Sequence, residues 1–240
     1  MKIMTLNLEG YFDWDDRADR IVRHIQRQDP DVILFQEVVY LPEESPYTQV
    51  TLLNRILKYP FQHASVTRLQ PSPHYDNYRE GLAVLSKLPI TSSEVLVLKK
   101  EADDPHNRII QFIDVIDDER TVGLANAHLS VREDHAIHHL EEVLGIMDSR
   151  GEKRIMAGDF NVDHIDHHSS VWRRDGYVLS TSNHQYVSFP DGHKTIDYFL
   201  VPKEYELDSL GLSHDGLSDH RAVMATIEYK PSTFRLAHAR

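Results

Sequence analysis

The chain of 240 residues contains no cysteine, so it can form neither a disulfide framework nor a thiolate metal site. Any metal must be held by oxygen or imidazole. It also lacks a basic surplus: 26 lysines and arginines stand against 38 aspartates and glutamates, a formal charge of −12. That balance disfavours a protein that grips nucleic acid through a broad cationic surface. No stretch approaches the roughly 20 apolar residues that span a bilayer, and Met1 to Asn7 carry no long apolar run of a signal peptide. The expectation is a soluble, cytoplasmic protein with no stable membrane association. No Gly/Ser linker, low-complexity block or fixed-period repeat divides the sequence, so one domain is expected over residues 1–230, followed by a C-terminal tail, 231–240.

What is present is ordinary except in one respect. A hydrophobic share of 40% with 27% charged residues suits a globular chain with a sizeable core. The 16 histidines are the unusual component, because imidazole supplies both metal ligands and acid/base groups near neutral pH.

Short β-branched runs alternate with helical patterns. Strands are predicted over 2–7, 32–36, 61–66, 82–86, 95–98, 109–116, 121–129, 153–157, 195–201 and 221–228. After Asp13, the spacing of Ala18, Ile21, Val22 and Ile25 predicts a helix that stops at Asp29-Pro30. Further helices are predicted over about 46–57 and 133–147. Between Leu82 and Leu129 successive strands have no helix between them, which favours antiparallel hairpins in a mixed sheet.

Polar residues at the ends of apolar strands carry the chemical information, since a strand tip holds a side chain rigidly at the rim of a sheet. Five such tips occur, in order: Leu6-Asn7, Phe35-Gln36-Glu37, Asn126-Ala127-His128, Gly158-Asp159-Phe160-Asn161 and Ser218-Asp219-His220. Singly each is weak, because a glutamate after a strand is usually a solvated cap and Asp-X-Asn is usually a turn. Together they are specific.

On Gln36-Glu37-Val38, Gly158-Asp159-Phe160-Asn161 and Ser218-Asp219-His220, supported by 80–87 and by Thr195-Ile196-Asp197-Tyr198, the chain resembles the endonuclease/exonuclease/phosphatase (DNase I-like) superfamily. The resemblance runs from Lys2 to Glu228. It implies a four-layer α/β sandwich, two mixed β-sheets flanked by helices, and a divalent-metal-dependent phosphoesterase, with Mg²⁺ or Mn²⁺ as cofactor. Oxygen donors suit these hard cations. The resemblance assigns Glu37, Asn7 and Asp219 to the metal and makes His220 the catalytic imidazole, oriented by Asp197. Asp159 would align or deprotonate the attacking water and Asn161 would donate to the phosphate. His128 matches a second phosphate-contacting histidine, with Glu80 and Tyr78 in the stretch whose carboxylate supports it. Arg108 falls where many members carry a phosphate-facing arginine; an ordinary strand-flanking charge is the alternative.

The remaining histidines need separate accounting. His135, His138 and His139 lie on the third predicted helix and most are expected in solvent. The run Asp163, His164, Asp166, His167, His168 reads as a polar loop beside the pocket, with a second metal site as the alternative. The fold does not choose a substrate. No run of basic residues exceeds two, and Asp117-Asp118-Glu119 would repel a polyanion, so the expected partner is a small phosphoester, a nucleotide or an oligonucleotide end, with no obligatory protein partner. The alternatives are a repair-type nuclease on duplex DNA and a catalytically silent phosphate-binding protein.

Overall fold

A computed structural model describes residues 1–100, 104 and 106–230; the expected tail, 231–240, lies outside them. In chain order the elements are β1 (Lys2–Asn7), α1 (Trp14–Gln28), β2 (Val32–Tyr40), α2 (Gln49–Leu57), β3 (Phe61–Leu69), β4 (Arg79–Ser86), β5 (Ile90–Val97), β6 (Ile109–Asp117), β7 (Arg120–His128) and α3 (Glu133–Ser149). There follow β8 (Arg154–Asp159), α4 (Ser170–Arg173), β9 (Tyr177–Leu179), β10 (Asp197–Pro202), β11 (Tyr205–Leu212) and β12 (Val223–Tyr229).

The strands form two six-stranded mixed sheets, ordered β11-β12-β1-β2-β4-β3 and β5-β6-β7-β8-β10-β9. Ile3, Val32, Leu34 and Val84 of the first sheet pack against Ile113, Leu124, Ile155 and Phe199 of the second. On the outer face of the first sheet, Ile21, Val22 and Ile25 of α1 and Val50 and Leu53 of α2 cover Met4, Ile33 and Phe35. On the outer face of the second, Leu140, Val143 and Leu144 of α3 and Trp172 of α4 cover Phe112, Ala125 and Met156. The result is the expected α/β sandwich, in which each sheet buries both faces. This explains why its central strands read as nearly continuous apolar runs.

Local chemistry sets the helix ends. The α1 helix closes at Asp29, whose left-handed backbone (φ 50°) donates its N–H to the Ile25 carbonyl ahead of Pro30. Helix α2 starts at Gln49 and not at 46, because the Thr48 side chain accepts from the Thr51 N–H and caps the first turn. The sequence underestimates the sheet edges. Strand β5 begins at Ile90, while β9 and β11 were not expected at all, and all three are edge strands. Edge strands present polar residues such as Thr91-Ser92-Ser93-Glu94 to water and so lack an apolar signature. In β11 a register shift at Leu207/Ser209 also breaks the two-residue alternation. No described helix is long and apolar enough to cross a membrane.

Candidate active site

Strand register brings the chemistry to one rim. In the second sheet His128 of β7 and Asp197 of β10 both lie opposite Asp159 of β8, so three titratable residues stand abreast on neighbouring strands. In the first sheet Asn7 lies opposite Gln36, the residue before Glu37. The β1/β2 and β7/β8 pairs are parallel, so each presents two C-terminal strand ends to the same edge. Between the sheets Gln36 Nε2 donates to Asn126 Oδ1 (2.7 Å), and Asn126 Nδ2 donates to the carbonyls of Phe35 and Ala83 (3.1 Å each). This buried amide pair ties the strand that presents Glu37 to the strand that presents His128.

Glu37 does not end its strand. Strand β2 continues to Tyr40, with a register shift between Phe35 and Val38 where Glu37 adopts φ 51°. The bulge turns its carboxylate towards Asn7, whose Nδ2 donates to Glu37 Oε1 at 3.2 Å. Glu9 and Asn161, which also border the pocket, have positive φ as well (53° and 57°). Gly158 at φ 144° lets β8 come close to β7: a Cβ there would sit 2.0 Å from the Ala127 carbonyl oxygen.

Asp159, 1% exposed, is the hub. Its Oδ1 accepts from the Asn161 N–H (2.8 Å) and its Oδ2 from Asn7 Nδ2 (3.0 Å). The same Oδ2 lies 3.7 Å from His128 Nε2 and 3.9 Å from His220 Nε2. Burial raises the Asp159 carboxyl above the usual range; the His220 charge and the two bonds oppose that shift. His220 Nδ1 donates to Asp197 Oδ2 at 2.8 Å. Burial by itself would push the imidazole down, but the Asp197 charge and bond, with Asp159 and Asp219, reverse this and raise it to about 10. Among the described residues His128 has no hydrogen-bonded carboxylate, and burial with Arg108 and Arg68 nearby holds it well below the ordinary histidine value. One histidine is therefore charged and the other neutral at pH 7.

The expected metal group divides. Asn7 and Glu37 are bonded, but Asn7 Oδ1 accepts from the Glu9 N–H (2.9 Å) and its amide hydrogens face the carboxylates. Asp219 lies on the other flank, its Oδ1 accepting from Ser218 Oγ (2.9 Å) and standing 3.9 Å from His220 Nε2. Glu37, Glu80 and His128 instead bring one ligand atom each within 4.8 Å of one another. Burial, and then Glu80, raise the Glu37 carboxyl. Two carboxylates that repel one another beside an imidazole nitrogen fit a divalent cation.

Glu80 and Tyr78 are not arranged as the sequence implies. Glu80 is ion-paired with Arg68 and accepts from Gln70 Nε2 (3.2 Å), and among the described residues no hydrogen bond joins it to His128. Tyr78 Oη accepts from the Tyr11 N–H (3.0 Å) and supports the β1–α1 loop. Arg108 is buried at 4% exposure in a narrow cleft with Arg68, Glu80, Asn107 and His128. Its Nε is 3.8 Å from Asp104 Oδ2, and neither Nε nor Nη1 has a hydrogen-bond partner among the described residues.

Sequence reasoning missed Arg68, Gln70, Glu9 and Arg17. Glu9 Oε2 accepts from the Asp219 N–H (3.0 Å), and Arg17 Nη1 donates to the carbonyls of Leu8 (2.8 Å) and Leu217 (3.0 Å). These bonds clamp the β1–α1 loop to the loop carrying His220. The signal in the sequence was Arg17, which stands at four-residue spacing from Ile21 and Ile25 on the apolar side of α1. The helix histidines also differ from expectation: His135 and His139 are buried, and His139 Nε2 lies 3.0 Å from the Lys99 carbonyl oxygen. In the run after Asn161, Asp163 accepts from the Thr195 N–H and His168 Nε2 bonds Glu133 at 2.9 Å, while the stacked His164 and His167 rings face each other at 5.8 Å. Among the described residues this run forms no group of converging metal ligands.

Comparison with known proteins agrees with this architecture. No curated protein matches the chain in sequence. An endonuclease/exonuclease/phosphatase protein from Beutenbergia cavernae superposes with TM-score 0.80 at 20% identity, over 95% of this chain and 71% of that one. A mannosyl-6-phosphatase from Bacteroides thetaiotaomicron gives 0.72 at 16% identity, over 95% and 100% of the two chains. A sphingomyelinase C from Streptomyces griseocarneus gives 0.66 at 19% identity, over 94% and 98%. The family model described as Endonuclease/Exonuclease/phosphatase family matches residues 4–220, from within β1 to His220, so the chain belongs to that family, whose members are mostly hydrolases of phosphate esters.

Proposed function

We propose that this protein is a divalent-metal-dependent hydrolase that cleaves a phosphate ester by in-line attack of water. The observation that carries the reading is the position of Asp159 Oδ2, 3.7 Å from one imidazole nitrogen and 3.9 Å from another. A carboxylate raised by burial is a competent base near neutral pH, so Asp159 orients the water and takes its proton. His220, charged because of Asp197, donates Nε2–H to a phosphoryl oxygen and stabilises the charge that builds there. Its high proton affinity favours this role over that of a base. His128, neutral, and the second amide hydrogen of Asn161, whose first goes to the Leu129 carbonyl (3.1 Å), bind the phosphate from the sides. Arg108 contributes a guanidinium with free donors.

Glu37 is the proposed ligand for Mg²⁺ or Mn²⁺, with Asn7 and Asp219 as further oxygen donors and Glu80 and His128 within reach of Glu37. When bound, the cation supplies Lewis-acid neutralisation of phosphoryl charge. The substrate is a small phosphoester or a nucleic-acid end, in line with the formal charge of −12, and the setting is cytoplasmic. The test is turnover of bis(4-nitrophenyl) phosphate, a nucleotide monophosphate, single- and double-stranded oligonucleotides, a sugar phosphate and a phosphocholine lipid with Mg²⁺ or Mn²⁺. EDTA should abolish activity, and Asp159→Asn and His220→Ala should each lose about 10²-fold or more. Activity that persists in EDTA, or that these variants retain, overturns the reading.

A further inference from the structure

The acidic total conceals one concentrated positive surface. Arg20, Arg23, His24 and Arg27 are separated by three, one and three residues, which puts them on one face of α1. The three arginines are exposed, and among the described residues none of them has an ion-pair or hydrogen-bonding side-chain partner. His214, from the loop that leads to Ser218-Asp219-His220, closes the face into a surface hollow of about 180 Å³ floored by Leu217. Asp215 is the acid that lines it, and its Oδ1 is engaged by Arg221 Nε at 2.5 Å. The hollow shares Arg20 and Asp215 with a larger groove of about 590 Å³ that ends at Ser218 and Asp219, beside the catalytic centre. Phe12, 64% exposed, stands on the wall of that groove.

We infer that this arginine face binds the backbone of a single-stranded nucleic acid whose phosphoester is cleaved at Asp159. The inference rests on the phosphoesterase reading and narrows its substrate class. From Arg20 to Arg27 the helix rises about 10 Å, which matches about three phosphates of one strand. Only an extended polyanion can occupy the catalytic centre and the arginine face together. Between them Phe12 offers a ring for base stacking, the arrangement that single strands use. The groove also carries Glu9, Asp13, Asp16, Asp191, Asp215 and Asp219 against Arg17 and Arg20, so the second strand of a duplex would meet further carboxylates with no basic face of its own to offset them. Single strands are favoured over duplex for that reason, and the hollow's concavity favours a chain over a flat lipid surface.

The test uses the full chain in EDTA, with binding of a fluorescein-labelled oligothymidylate of about 12 nucleotides followed by anisotropy. Three phosphate contacts give a slope of about −2 for log affinity against log salt. The triple variant Arg20→Glu, Arg23→Glu, Arg27→Glu should bind at least tenfold more weakly and lose most of that slope. With Mg²⁺ it should lose a similar factor in kcat/KM on the oligonucleotide yet turn over bis(4-nitrophenyl) phosphate within twofold of the parent. The triple glutamine variant replaces it if charge reversal prevents folding. Unchanged oligonucleotide affinity in the variant overturns the inference. So does equal affinity for the corresponding duplex, or tighter co-sedimentation with phosphatidylserine vesicles than with oligonucleotide. A parent that binds the oligonucleotide through these arginines but hydrolyses nothing would leave the site standing and remove the catalytic proposal; hydrolysis without an arginine effect would do the reverse.

Discussion

Asn7 and Asp159, 152 residues apart and on different sheets, are joined by a 3.0 Å hydrogen bond from the Asn7 amide to the carboxylate oxygen that lies between the two imidazoles. The same amide reaches Glu37 at 3.2 Å. One side chain therefore fixes the spacing between the proposed base and the proposed metal ligand. Asn7→Ala should lower kcat on bis(4-nitrophenyl) phosphate by about 10- to 100-fold, the usual cost of removing a group that orients a ligand. Asn7→Asp should cost more, because it adds a third carboxylate to a buried cluster. Rates within twofold of the parent for both variants would contradict the arrangement.

The His220–Asp197 pair makes stability depend on pH in a defined direction. The folded imidazole is raised to about 10 while the unfolded one titrates at about 6.5. The stabilisation is therefore fully present below the unfolded value and is lost as pH rises through the folded one. In EDTA, the deficit in Tm of Asp197→Asn relative to the parent should be largest near pH 6 and shrink steadily toward pH 10. Thermal melts across that range check it, and a deficit that grows with pH would refute it.

How much of this was legible in the sequence depends on the range of the interaction. Asn7, His128 and Asp159 end apolar strands, Glu37 interrupts one and His220 precedes one, a local signal, and the structure gathers all five at one rim. The left-handed backbone of Glu37 was not legible, because a strand pattern that continues to Tyr40 gives no hint that one residue bulges out. The sequence places Glu80 toward His128, but Arg68 on the neighbouring edge strand, set opposite it by the β3/β4 register, and Gln70 just past the end of that strand take its oxygens. The arginine face of α1 was legible in principle. Counting adjacent basic residues hid it, whereas the 3.6-residue period that identified the helix also aligns Arg20, Arg23 and Arg27.

Glu37 ties metal binding to protons. Burial and the neighbouring Glu80 raise its carboxyl above the usual range, so the metal-free protein holds a proton there at pH values where an exposed glutamate would not. A cation takes the charged form and releases that proton. Mg²⁺ affinity should fall as pH drops through the raised Glu37 value, and titration calorimetry in buffers of different ionisation enthalpy should show net proton release. Glu37→Gln should abolish the release. A binding heat independent of the buffer would show that the raised carboxyl is not the ligand.

Arg108 sets function against stability. A guanidinium at 4% exposure with two nitrogens that find no hydrogen-bond partner among the described residues carries a desolvation cost that its 3.8 Å approach to Asp104 only partly offsets. Folding alone would favour an apolar side chain of similar length there, whereas a phosphate arriving beside His128 would supply the missing acceptors. Arg108→Met should therefore unfold at the same or a higher urea concentration than the parent while losing about tenfold or more in kcat/KM. The loss should fall mainly on KM if the arginine binds the ground state, and on kcat if its bonds form only as charge develops on the phosphoryl oxygens. Urea melts and steady-state kinetics on the same preparation decide the matter. A variant that is both less stable and fully active would assign Arg108 to the architecture and not to the substrate.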